Sequence, residues 1–159
     1  MNRKNQQREA QIQIAVVQYI RYMVKPKYPN AVLIVNPLAD TYFGPGGGRI
    51  MKQAYNRGFK KGIPDILILQ ETTTGPYTPG LKFHVDYPGS VELSVYTGIA
   101  LELKSDNAPL WRQDGELITN DHIAKQADTL RKLRANNIIA EFAPGFDQAK
   151  AYIDWYFSL

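Results

Sequence analysis

Cysteine is absent from this chain of 159 residues, which excludes disulfides and thiolate zinc sites. Histidine is nearly absent, since only His84 and His122 occur, far apart in sequence. A bound metal would therefore be held by oxygen, and a hard cation is the default. No stretch approaches the ~18 consecutive apolar residues of a membrane span, and the start of the chain lacks the apolar core of a signal peptide. A soluble, cytoplasmic protein is expected. Repeats, linkers and shifts of composition are missing too, so residues 1–159 are expected to form one domain. What is present is ordinary for a globular protein: 44% hydrophobic and 21% charged residues suffice to bury a core without staples. A formal charge of +4 and a pI near 9.2 give a mild preference for an anionic partner.

Two stretches stand out against that background. One is Gly62-Ile63-Pro64-Asp65, followed by the apolar run Ile66 to Leu69. The other is Ile99-Ala100-Leu101-Glu102-Leu103-Lys104. Each reads as a short strand that wants to be buried yet carries ionised side chains. Burying two carboxylates and an ammonium without partners costs several kcal/mol each. A cation held by Asp65 and Glu102, with Lys104 beside it, would supply the missing partner. That points to metal-dependent nuclease chemistry. The bland alternative is a structural ion pair between Lys104 and one carboxylate.

Along the chain, Ile12, Ala15, Val16, Tyr19, Ile20 and Met23 recur at helical spacing and predict a helix over 8–23. At ~100° per residue Glu9 falls on the same side as Val16 and Ile20. It is either a first-turn glutamate favoured by the helix dipole or a carboxylate aimed at the site. Ala31 to Val35 predicts a short buried strand. The glycine-rich loop Gly44 to Gly48 lacks the lysine and hydroxyl of a phosphate-binding P-loop. Ile50 to Phe59 predicts a short helix, and Arg49, Lys52, Arg57, Lys60 and Lys61 bring five positive charges just before Gly62. They form either a solvated face or a phosphate-binding rim. Glu71 to Gly80 reads as a connection. Leu81 to Val85 and Val91 to Tyr96 alternate with period two around Pro88-Gly89 and predict a hairpin, with His84 on it not read as a ligand. Trp111 lies in the loop that follows Lys104, where capping the core is the commoner use and base stacking the other. Asn120 and its neighbours are N-cap candidates for a helix to about Ala135, with Ile123, Ala127, Leu130 and Leu133 as its apolar stripe. Gln126 lands within that stripe, where an amide needs a partner. A strand over 138–142 and a helix over 146–157 close the chain.

Gly-x-Pro-Asp, a later Glu-x-Lys at a strand end and a glutamine one helix further on together resemble the PD-(D/E)XK nuclease superfamily. Within it the chain is most similar to the virus-type replication-repair nuclease (VRR-NUC) domain, from about Ala31 to Tyr156. Gly48-Arg49, Lys60-Lys61-Gly62-Ile63-Pro64-Asp65 and Leu101-Glu102-Leu103-Lys104 carry the likeness. The resemblance implies an α/β, restriction-endonuclease-like core of order αβββαβ, with a central mixed sheet flanked by helices and here an inserted hairpin. It also implies that Asp65, Glu102 and the Leu103 main-chain carbonyl bind Mg²⁺ or Mn²⁺. Lys104 would orient or help deprotonate the attacking water and offset charge, and Gln126 would position Lys104 or the water. Glu9 matches the helix-one glutamate that related Holliday-junction-resolvase-like nucleases add to their metal site. The implied partners are branched, junction or flap DNA in replication, repair or recombination, and a second copy of the chain, in a bacterial or phage-infected cell. Two departures are visible: the connection between Asp65 and Glu102 is long, and so is the loop from Lys104 to Gln126. A non-catalytic nucleic-acid-binding module that keeps the fold is the alternative.

Overall fold

The computed structural model describes residues 3–36, 63–74, 94–110, 112, 117–118 and 120–158. Helix α1 spans Arg3–Tyr19 and runs into a π-helical turn, Ile20–Val24, in which the Lys25 N–H donates to the Ile20 carbonyl at 3.0 Å. An apolar side chain every fourth residue (Ile12, Val16, Ile20 and Val24) packs this face into the core. The wider turn is why Val24 is buried while Met23, the residue expected inward at α-helical spacing, is 44% exposed. The chain then turns through Lys25 to Asn30 into β1, Val32–Val35.

Four strands form one mixed sheet in the order β1-β2-β3-β4. Strand β2 is Ile66–Thr74, β3 is Ser94–Lys104 and β4 is Ile138–Pro144. β1, β2 and β3 pair antiparallel, and β4 adds parallel to β3. Between β3 and β4 lies helix α2, Asp121–Arg134, whose first turn is capped by the Asn120 side chain accepting from the N–H groups of His122 and Ile123. Helix α3, Gly145–Phe157, ends the chain. The order αβββαβα is the α/β architecture expected, a mixed sheet flanked by helices.

Alternation decides which helix covers which face. Ile66, Ile68, Ile99, Leu101, Leu103 and Ile139 pack against Ile12, Val16 and Ile20 of α1 and Ala149, Tyr152, Ile153 and Tyr156 of α3. Ala100, Ala140 and Phe142, on the other face, pack against Ile123 and Leu130 of α2. Glu102 and Lys104 share the alternation of Ala100, so they lie on the α2 face.

Three expectations need correction. Among the described residues β1 is an edge strand rather than a buried one, with Val32 52% and Ile34 45% exposed, because only one of its faces meets their core. Glu71 to Thr74 is strand and not connection. The expected second hairpin arm is, from Ser94 on, continuous with the strand that carries Glu102. β2 and β3 stay paired across a bulge between Leu69 and Thr72, and the Tyr156 hydroxyl steadies it by donating to the Gln70 carbonyl at 2.7 Å and the Tyr96 carbonyl at 3.2 Å. At Gly98 the two strands approach closely, and a Cβ there would come within 2.6 Å of the Ile68 carbonyl oxygen. The Gly44–Gly48 loop, the helix over 50–59, most of the hairpin over 81–96 with His84, and Trp111 lie outside the described residues.

Candidate active site

Antiparallel register brings the two separated stretches together. Ile66 pairs with Leu101, so one step back on β2 and one step forward on β3 sets Asp65 beside Glu102. Side chains opposite each other share a face. The Leu103 N–H donates to Asp65 Oδ2 at 2.8 Å, tying the carboxylate to the end of β3. Lys104 Nζ donates to Glu102 Oε1 at 2.8 Å, a pair two residues apart on one strand. From α2, Gln126 Nε2 donates to the same Glu102 oxygen in a short contact. From α1, Glu9 Oε1 accepts from the Ser105 N–H at 3.2 Å, just past the end of β3. All five side chains are buried, none more than 5% exposed. Arg49, Lys52, Arg57, Lys60 and Lys61 lie outside the described residues.

The electrostatics of the cluster follow from its composition. Burial pulls the Lys104 ammonium down, but it is outweighed by Glu102, through charge and hydrogen bond, and by the charges of Asp65 and Glu9, so its pKa stands above the ordinary lysine value of 10.5. Lys104 is an ammonium at every physiological pH. Glu102 is its direct partner, and Asp65 and Glu9 add their charges from the same buried cluster. The buried Gln126 Oε1 accepts no hydrogen bond among the described residues. Buried carboxylate and amide oxygens brought together in this way suit a hard divalent cation by chemistry. Among the described residues no three acidic or histidine side chains converge as a ligating set. The fit therefore rests on Asp65 and Glu102, since an Mg²⁺-type ion needs only one or two carboxylates beside main-chain, water and substrate oxygens.

Two polar residues at the site were not singled out from the sequence. Gln13 Nε2 donates to the carbonyls of Asn36, at 3.1 Å, and of Asp65, at 3.3 Å. Asn36 donates its N–H to the Asp65 carbonyl at 3.0 Å and its Nδ2 to the Ile63 carbonyl at 3.2 Å. Gln13 was legible in principle, because it follows Glu9 by four residues and falls on the same helix face. A further buried acid, Glu141 of β4, is not part of the site. It pairs in register with Leu101, which places it on the opposite face, where Arg134 lies 3.4 Å away. A groove of about 830 Å³ lies between Ile63 and the Ala124, Lys125, Asp128 and Lys132 side of α2, and none of the five cluster residues is among its described lining.

No protein-family model and no curated protein matches the chain. Among solved structures it is similar to a protein titled "VRR_NUC domain protein", at a TM-score of 0.52 and 16% identity, over 96% of this chain and 89% of that one. At that identity the likeness speaks for the fold. The chain has the fold of a VRR_NUC domain, in the restriction-endonuclease-like class, with the cluster of Glu9, Asp65, Glu102, Lys104 and Gln126 at the ends of its strands.

Proposed function

We propose that this chain is a divalent-cation-dependent nuclease that hydrolyses DNA phosphodiester bonds. The observation that carries the reading is the buried convergence of Asp65, Glu102 and Lys104 from β2 and β3, joined by Gln126 of α2, on the fold of a VRR_NUC domain. Asp65, Glu102 and the Leu103 carbonyl would hold Mg²⁺ or Mn²⁺, with Glu9 at the border of the set. A bound cation supplies an activated water and neutralises charge on the phosphate under attack. Lys104 acts as an ammonium that offsets charge on the phosphate, and its raised pKa supports that role over a base role. Gln126 holds Glu102 by its amide and so fixes the carboxylate that faces Lys104. Leu103 does the same for Asp65 through its N–H. Arg49, Lys52, Arg57, Lys60 and Lys61 are proposed as phosphate contacts, and branched, flap or junction DNA, cut by a homodimer, as the substrate arrangement. Those finer assignments rest on the sequence resemblance.

A second reading has one observation in its favour. Lys104 and Glu102 form a direct ion pair at 2.8 Å, as a purely structural or lapsed site would. Against it stands the convergence of Asp65, Glu9 and Gln126 on that same pair, all buried with it. Labelled single-stranded, duplex, flap and four-way DNA, incubated with Mg²⁺ and with Mn²⁺, separates the two. The nuclease reading expects metal-dependent cleavage that Asp65→Asn and Glu102→Gln each lower by about 10³-fold or more while the variants stay folded. Wild-type protein that binds the panel but cuts nothing with either metal would make the chain a binding module.

A further inference from the structure

Helix α1 carries two polar side chains one turn apart, and each holds the end of a strand that supplies the site. Glu9 takes the Ser105 N–H where β3 ends. Gln13 reaches the other side, where β1 ends and β2 begins. There the last antiparallel pair, Val35 with Ile66, is followed by Asn36 beside Asp65. The Asn36 N–H extends the ladder by one bond to the Asp65 carbonyl. The single Gln13 amide nitrogen, with two N–H groups to give, spans the carbonyls of both residues of that extra rung. Asn36 adds its side-chain amide to the Ile63 carbonyl and so holds the Ile63–Asp65 turn from the β1 side.

The carboxylate that leaves this rung is fixed at its far end by the Leu103 N–H. Asp65 is thus held at both ends, main chain by Gln13 and Asn36, side chain by β3. We propose that Gln13 is a positioning residue for Asp65: acting through the Asn36–Asp65 rung, it sets where the Asp65 carboxylate stands relative to Glu102. The positioning itself is a property of the metal-free protein. Its consequence for metal affinity rests on the nuclease reading.

The test uses the full chain with Gln13→Met, which keeps length and helix propensity but removes both donors. Tyr19→Phe serves as the control on the same helix, since it deletes only the hydroxyl that bonds Asp154 on α3, away from the site. Two measurements are made, hydrogen exchange of the Leu103 amide without metal and Mn²⁺ affinity by calorimetry. Gln13→Met is expected to speed Leu103 exchange about tenfold, as the Asp65 acceptor drifts. It is expected to weaken Mn²⁺ binding about 10–100-fold, the usual effect of removing a ligand's support. Tyr19→Phe moves neither. Unchanged Leu103 exchange in Gln13→Met overturns the proposal, and so does faster exchange with wild-type Mn²⁺ affinity. An equal effect from Tyr19→Phe overturns it as well, because general loosening of α1 then explains the result. Faster Leu103 exchange confined to Gln13→Met, in a wild type that binds no Mn²⁺, upholds the positioning of Asp65 and sinks the nuclease reading instead.

Discussion

Lys104 is the residue on which the site's charge balance turns. Its ammonium is 3% exposed and faces Glu102 directly, with Asp65 and Glu9 contributing at longer range. Replacing it by methionine keeps most of the volume and removes the ammonium that Glu102 pairs with. Removing one partner from a buried pair costs about 3–5 kcal/mol, so Lys104→Met should lower stability by that much near neutral pH, measured by urea unfolding. The pH dependence has a definite sign. The folded pKa lies above the unfolded value of 10.5, so the ammonium's contribution is complete below 10.5 and disappears as pH rises through the folded value. The gap between wild type and Lys104→Met should therefore narrow on the alkaline side. A gap that stayed constant there would mean that the ammonium is not what the carboxylates hold. Asp65, Glu102 and Lys104 were legible in the sequence, because charged residues inside apolar runs are conspicuous. Gln13 could have been found from its place one turn after Glu9 on the same helix face, but Asn36 could not, since an asparagine after a strand looks like an ordinary surface residue until its carbonyl partners are known.

At the scale of elements, the π-helical turn at Ile20–Val24 shifts the phase of the inward face by one residue. Val24 is fully buried where α-helical spacing would have placed Met23. Two neighbouring substitutions test that phase. Val24→Asp should cost at least about 3 kcal/mol, because it puts an unpartnered charge in the core. Met23→Asp, on the outside, should stay within about 0.5 kcal/mol of wild type by thermal unfolding. Equal costs would place both residues alike and remove the turn. Helix α2 was read closely from sequence: its Asn120 cap and the inward Ile123, Gln126 and Leu130 all follow from capping chemistry and a 3.6 period. Strands β2 and β3 were read less well. Glycine and threonine at 97–98 and polar residues after Leu69 look like breaks, but cross-strand pairing through a bulge carries the ladder past them.

For the whole molecule the net charge of +4 needs no coordinates, and it bears on the proposed partner. DNA binding should weaken with salt, and a triple Lys52→Ala, Lys60→Ala, Lys61→Ala variant should reduce the slope of log affinity against log salt by about 2–3 if each lysine neutralises one phosphate. Fluorescence anisotropy of a labelled duplex across a salt series reads this directly. An unchanged slope would leave those residues as a solvated face.

The sequence by itself determined the class of element in most places, the exclusion of thiolate chemistry, and which acids and which ammonium stand inside apolar runs. Those are local facts, written in side-chain type and in periods of two and 3.6. Only the tertiary structure decided that Asp65 stands beside Glu102, that Gln126 closes on that same carboxylate, and that Gln13 joins the ends of β1 and β2. The physical reason is that register, sheet order and the face each helix covers are set by pairings between residues far apart in sequence, 96 positions for Glu9 and Ser105 and 135 for Tyr19 and Asp154. Such pairings leave no local period to read.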